Sequence, residues 1–195
     1  MKKNIKGKNI VVGVTGSIAA YKSAYLVSKL KREGVNIDVI MTENAIKFIT
    51  PLTFQTLSQN RVHIDMFVGD CLRDTSHEGC VPINNYEIEH ISLADKADLI
   101  VVCPATANII GKVANGIADD LLSTTIMSTE APVIFAPAMN NKMYGNKIVQ
   151  NNIEKLKKMG YKFVEPETGI LACGCRGKGR LAEIDKIINV IKLTL

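Results

Sequence analysis

The sequence predicts a doubly wound α/β domain, with one parallel sheet and helices on both of its faces. Three observations carry this. Short apolar runs of strand length alternate with segments of helical period along the whole chain. Two of the runs, Asp98–Cys103 (DLIVVC) and Pro132–Ala136 (PVIFA), read as buried strands. A glycine turn at Gly13–Ser17 joins the first strand to the first helix. The 195 residues suit one domain covering positions 1–195, long enough to bury a core without disulfide or metal support.

Asn9–Val14 is the first strand. Gly16 and Ser17 open a helix to about Glu33, with Ala20, Ala24, Val27 and Leu30 on one face and Gly34 as its stop. Asn36–Met41 is the second strand. Thr50 followed by Pro51 starts a helix through Ser58. Gly69–Glu87 shows no period and reads as a surface loop. Beyond Asp98–Cys103, both Asn108–Ala114 and Asp119–Ser128 read as helices. After Pro132–Ala136 comes an amphipathic helix over Asn146–Met159, with Ile148, Ile153, Leu156 and Met159 apolar. Tyr161–Val164 is the last strand. Residues 165–183 hold four glycines and several charges, which predicts a mobile loop. Ile184–Leu193 closes the chain as a helix. In such a fold the ligand sits beyond the C-terminal ends of the strands.

Composition narrows the function. Hydrophobic residues make up 47% and charged residues 22%, a globular balance. A net charge of +5 is too mild for a nucleic-acid footprint, and 5% aromatics with no Trp make a base-stacking surface unlikely to exist. The five cysteines, Cys71, Cys80, Cys103, Cys173 and Cys175, are odd in number and irregular in spacing, so no disulfide framework or zinc ribbon is expected. The apolar run Ile10–Val14 is too short for a signal peptide, and no stretch reaches bilayer length. A cytoplasmic protein without membrane or nucleic-acid partners is expected.

Four motifs carry chemistry. GVTGSIAAYKS at Gly13–Ser23 places strand, glycine turn and helix start in order, so Gly16, Ser17 and the first helical amides can bind a phosphate. It lacks the dinucleotide GxGxxG, and Tyr21 stands where a P-loop has its second glycine, so a mononucleotide such as FMN fits better. PATAN at Pro104–Asn108 follows a buried strand, and PAMNNKM at Pro137–Met143 follows the next, where the Asn140 amide can hold a carboxylate. GILACGCRGKGRLAE at Gly169–Glu183 sets two cysteines beside Arg176, Lys178 and Arg180, cations that would promote thiolate formation. Each motif alone also reads as a plain turn or loop. His90 lies just ahead of a buried strand, where it could face the site or be structural; His63 and His77 look incidental. Cys71, His77 and Cys80 match no metal-ligand spacing, so no metal is expected.

Together the motifs are far more specific. GSIAAYK, EHISLA, PATANIIGKVANGIADDLLST, PAMNNKMY and LACGCRGKGRLAE occur in the order found in the flavin-containing cysteine decarboxylases. The chain resembles that family over nearly its whole length, least from about Val68 to Tyr86. The resemblance implies a Rossmann-like (flavodoxin-like) domain that binds FMN and forms a homo-oligomer, a trimer or a dodecamer of trimers, with the active site at a subunit interface. It implies flavin contacts at Gly16, Ser17 and Ile18, at Thr42, at Thr106, Ala107 and Asn108, and at Ala138. Substrate contacts fall on Asn140, Met143 and Ala172, and the catalytic pair on His90 and Cys173, with 165–183 as a substrate-covering flap. Ile109 stands where a threonine is usual, and Cys175 has no counterpart in the family.

The activity so implied is FMN-dependent decarboxylation of 4'-phosphopantothenoylcysteine to 4'-phosphopantetheine in coenzyme A synthesis. Oxidising the thiol to a thioaldehyde supplies the electron sink that a cysteine carboxylate lacks; decarboxylation then gives an enethiolate, which FMNH2 reduces. His90 would serve as base or electrostatic partner, Asn140 would position the carboxylate, and Cys173 would donate the final proton. With no room in 195 residues for a fused ligase, a stand-alone decarboxylase or excised domain is expected, with a separate phosphopantothenate–cysteine ligase as pathway partner. The alternatives are a peptidyl-cysteine decarboxylase, a flavin prenyltransferase and a flavin-binding regulatory subunit without catalysis. A dinucleotide oxidoreductase would need the missing GxGxxG turn.

Overall fold

Neighbouring residues of the inner strands point to opposite faces of the sheet, and each face has its own apolar partners. The computed structural model describes residues 4–66 and 88–195. Its central sheet is built from β1 (Asn9–Val14), β2 (Asn36–Met41), β3 (Val62–His63), β4 (Leu99–Ala105), β5 (Val133–Pro137) and β6 (Lys162–Phe163). Across the sheet the order is β3-β2-β1-β4-β5-β6, and every pairing is parallel. The chain winds outward from β1 in one direction and from β4 in the other, which bears out the doubly wound reading. The reversal falls between β1 and β4, where connections leave in opposite directions and a crevice opens at the strand ends.

The helices are α1 (Ala20–Arg32), α2 (Glu43–Ile46), α3 (Pro51–Ser58), α4 (Glu89–Lys96), α5 (Ala107–Ala114), α6 (Leu121–Ser128), α7 (Asn141–Tyr144), α8 (Lys147–Lys158) and α9 (Ile184–Thr194). On one face, Val12, Val14, Val101 and Cys103 pack with Leu26 and Leu30 of α1, Phe54 of α3 and Ile187 of α9. On the other, Val11, Ile100, Val102 and Phe135 pack with Ile110 of α5, Leu122 and Ile126 of α6, and Leu156 of α8. Phe135 also stacks on Phe163, ring centroids 5.2 Å apart. Cys103 is fully buried, and desolvation pushes its thiol up to about 12, so it is an inert core residue.

Three of the differences from the sequence reading bear on the site. Helix α1 starts at Ala20 instead of Gly16, because the intervening residues form a tight turn in which the Ser17 amide donates to the Thr15 carbonyl at 2.8 Å. Strand β4 runs on through Pro104 to Ala105. Within 165–183, β7 (Glu167–Ile170) and β8 (Arg176–Arg180) pair antiparallel, so this segment is a hairpin and not an irregular loop. Its strands lie largely at the surface and carry no apolar alternation, which is why they escaped a periodicity argument. The Gly69–Glu87 loop reading, with Cys71, His77 and Cys80, lies outside the described residues. Among the described residues, no helix is long and apolar enough to cross a membrane.

Candidate functional site

Two cavities open at the C-terminal end of the sheet, and consecutive residues of the turn after β1 line both. The larger, about 800 Å³, is lined by Gly16, Thr42, Thr106, Ala107, Asn108 and Met143, with Lys112, Asp119 and Asp120 on its rim side. The smaller, about 360 Å³, is lined by Ser17, Ile18, Ala138, Asn140, Ala172 and Cys173. Both sizes lie in the range of small-molecule sites.

The larger cavity is held by cross-links between strand ends. Thr15 Oγ1 donates to the Pro104 carbonyl at 2.7 Å and accepts from the Thr106 amide at 3.2 Å, which ties the end of β1 to the end of β4. Thr106 then caps α5, its Oγ1 accepting from the Ile109 amide. The first helical amides, at Ala107 and Asn108, have no intrahelical acceptor and face a ligand-sized space. Gly16 is required for closeness: a Cβ there would sit 2.5 Å from Asn44 Cβ, so only glycine lets the β1 turn lie against α2. Met41, Ile109, Leu122 and Met143 supply an apolar wall beside these hydroxyls and amides. Lys112 bonds Asp119 at 2.6 Å and Asp120 at 2.7 Å. Burial works to lower the Lys112 pKa, but the two carboxylates outweigh it and raise the value.

The smaller cavity joins two segments distant in sequence. Asn140 Oδ1 accepts from the Lys142 amide at 2.8 Å, capping α7, and its Nδ2 is left to donate to Cys173 Sγ at 3.4 Å. The hairpin is pressed onto the Asn140 loop: the Met139 amide donates to the Gly179 carbonyl at 3.0 Å, and a Cβ on Gly179 would lie 2.2 Å from the Met139 oxygen. Glu165, at the base of the hairpin, accepts from the Tyr144 hydroxyl at 2.7 Å, from Lys178 at 2.9 Å and from Lys157 at 3.1 Å. Desolvation tends to raise its pKa, yet these three partners together hold it down at about 2. Burial first, and then Glu165, push the Tyr144 hydroxyl upward. Sequence reasoning missed this network, because no local period links Glu165 to Tyr144, Lys157 and Lys178.

The Cys173 thiol is shifted down, first by the Cys175 amide, then, against a desolvation effect, by the Cys175 thiol, its own amide and Asn140. Two of the three cations that the sequence set beside it act elsewhere: Lys178 pairs with Glu165 and Arg180 with Glu183 at 2.7 Å. The expected cationic activation of Cys173 is therefore replaced by local hydrogen bonding.

His90 lies in the first turn of α4 and lines neither cavity. Its Nδ1 is shielded from solvent and has no hydrogen-bond partner among the described residues. A single protomer thus does not bring it together with Cys173. Its neighbour Glu89 pairs with His63 Nδ1 at 2.5 Å, which gives His63 a structural role.

The sequence profile of the flavoprotein family matches residues 1–195. The chain belongs to the flavoprotein family. It is 43% identical over 187 residues to the "probable phosphopantothenoylcysteine decarboxylase" of Streptococcus mutans, covering 95% of this chain and 97% of that one. It is 49% identical over 186 residues to the "coenzyme A biosynthesis bifunctional protein CoaBC" of Borreliella burgdorferi, covering 95% of this chain but 44% of that protein. The chain thus spans less than half the length of that bifunctional relative. Among solved structures, the FMN-dependent cysteine decarboxylase SpaF superposes with a TM-score of 0.77 at 28% identity, covering 97% of each chain. Family membership and this likeness bear out the fold and flavin resemblance drawn from the motifs.

Proposed function

We propose that this flavoprotein is a decarboxylase that binds FMN and converts 4'-phosphopantothenoylcysteine to 4'-phosphopantetheine. The observation that carries the reading is the meeting of Asn140 and Cys173 on the wall of a cavity adjoining a flavin-sized one. The larger cavity suits FMN by its donor set: the Thr42 and Thr106 hydroxyls, the free first-turn amides at Ala107 and Asn108, and an apolar wall for a ring system. Gly16, Ser17, Ile18 and Ala138 complete the cradle along the line where the cavities adjoin. When bound there, the cofactor supplies reversible two-electron chemistry at the carbon bearing the substrate thiol.

The chain's own groups do the rest. Asn140 has one amide edge committed to capping α7, and the other faces the cavity, so its Nδ2 hydrogen-bonds the substrate carboxylate in a fixed orientation. Cys173, 3.4 Å from that Nδ2, delivers the proton that the enethiolate carbon needs, as the general acid. Ala172 lines the substrate space, Met143 borders it from the larger cavity, and the hairpin over 165–183 covers it against water. His90 acts as base or electrostatic partner at the site of an adjacent protomer in a homotrimer, which accords with its place away from the cavities of its own chain. A ligase activity that joins cysteine to phosphopantothenate supplies the substrate.

Two measurements test this. The purified protein is expected to show flavin absorbance and to release carbon dioxide from 4'-phosphopantothenoylcysteine but not from a peptide with C-terminal cysteine. A colourless protein that binds no FMN overturns the reading, and release from the peptide alone transfers it to the peptidyl class. Cys173→Ser is expected to lose free product and accumulate the oxidised enethiol, seen by mass spectrometry, while Cys175→Ser turns over normally.

A further inference from the structure

We propose that Cys175 is a resolving thiol: it closes a reversible disulfide onto Cys173 and so withdraws the thiol at the tip of the hairpin from use. The effect on turnover rests on the catalytic role proposed for Cys173; the disulfide itself does not. Both cysteines are free and exposed, and they flank a single residue. That residue, Gly174, has φ +80°, a left-handed conformation that glycine adopts without strain. The turn is closed by the Gly174 amide on the Leu171 carbonyl at 2.8 Å and by the Leu171 amide on the Cys175 carbonyl at 2.9 Å. The chain is thereby folded back at this tip, and each thiol shifts the titration of the other. Two residues apart, their Cα atoms can be no more than about 7.5 Å from each other. A tight turn brings such a pair into the roughly 4.4–6.8 Å range that a disulfide spans. The hairpin is anchored below the tip, at Gly179 and Glu165, so closure is confined to the tip.

The two thiols are not equivalent. Cys173 Sγ accepts from Asn140 Nδ2 and its pKa is shifted down, whereas that of Cys175 is shifted up by Cys173. Cys173 is therefore the first nucleophile. Its thiolate attacks one sulfur of a low-molecular-weight disulfide RSSR, forming Cys173–S–SR and releasing RS⁻. The Cys175 thiolate then attacks the Cys173 sulfur, forming the intrachain disulfide and releasing the second RS⁻. The protein loses two electrons and two protons, and RSSR becomes two RSH. Excess RSH reverses both exchanges.

Trypsin releases both cysteines, and no other, on the peptide Phe163–Arg176. Flavin-loaded protein is treated with oxidised glutathione, alkylated with iodoacetamide, digested and weighed. The expected peptide is lighter by two hydrogens and unalkylated, and carries two alkyl groups once reduced beforehand. Cys175→Ser is expected to stop at a stable glutathione adduct on Cys173, with its turnover before oxidation unchanged. A wild-type peptide that keeps a glutathione adduct, or takes two alkyl groups after oxidation, overturns the proposal. So does closure of the disulfide with undiminished decarboxylation. A protein that never decarboxylates sinks the functional reading alone, because the peptide mass is read independently of turnover.

Discussion

Glu165 and Asn140 are single residues whose positions decide more than their identity does. Glu165 has an ordinary value of 4.5 and is held at about 2, with Lys178, Tyr144 and Lys157 overcoming desolvation. Its folded-state pKa lies below its unfolded value, so its contribution is complete above pH 4.5 and is lost as pH falls through 2. The denaturation midpoint of the wild type is expected to drop more steeply across that window than that of Glu165→Gln. Equal slopes would show that the three partners contribute nothing. Asn140 has two tasks that substitution can separate. Asn140→Ala is expected to cost about 1 kcal/mol by urea titration through loss of the α7 cap, and also to lose turnover. Asn140→Ser retains a capping oxygen, so it should recover the stability but not the turnover; recovery of both would remove Asn140 from the substrate site. At this scale Asn140, Cys173 and Thr106, all singled out from the sequence, line cavities. The sequence could not show that His90 lines neither cavity of its own chain, or that Lys178 and Arg180 pair with Glu165 and Glu183, because which group faces which is a matter of distance, and distance is set by the fold.

Among the elements, the hairpin β7–β8 is the one most dependent on a single contact. Gly179 has φ +153° and leaves no space for a Cβ beside the Met139 oxygen. Gly179→Ala is expected to cost about 1–3 kcal/mol and to release the hairpin from the Asn140 loop. Hydrogen exchange at the Met139 amide, now bonded to the Gly179 carbonyl, should accelerate; unchanged protection would show that the hairpin is held from elsewhere. Gly174→Ala makes the control: it also needs a positive φ, but nothing lies within 4 Å of its Cβ, so strain appears without release of the hairpin. Strands β1, β2, β4 and β5 were legible because a buried strand is written as a short apolar run. The hairpin was not, because its pairing joins Gly169 to Gly177 and Ile170 to Arg176, residues with no apolar pattern. Short helices α2 and α7 were equally silent, since four residues hold barely one turn of periodicity.

The whole molecule is two apolar layers sharing one sheet. Leu30 lies in the layer under α1 and Phe135 in the layer under α5 and α8, and both are fully buried. Because alternate residues of β1 and β4 serve both layers, neither can melt alone. Leu30→Ala should cost about 2–5 kcal/mol and Phe135→Ala about 3–5 kcal/mol, each by shifting one common transition. Circular dichroism and tyrosine fluorescence would separate if the layers were independent.

Read alone, the sequence determined the class of fold, the order of the main strands and most of the longer helices, and the loops that line the cavities. These are local properties, since apolar period, caps and turn residues act within a few positions. The tertiary structure decided which of those loops meet. Thr15 bonds Thr106 across 91 positions, Cys173 meets Asn140 across 33, and Tyr144 meets Glu165 across 21. Such contacts depend on strand order and on the seating of the hairpin, and packing of the whole chain settles both at once.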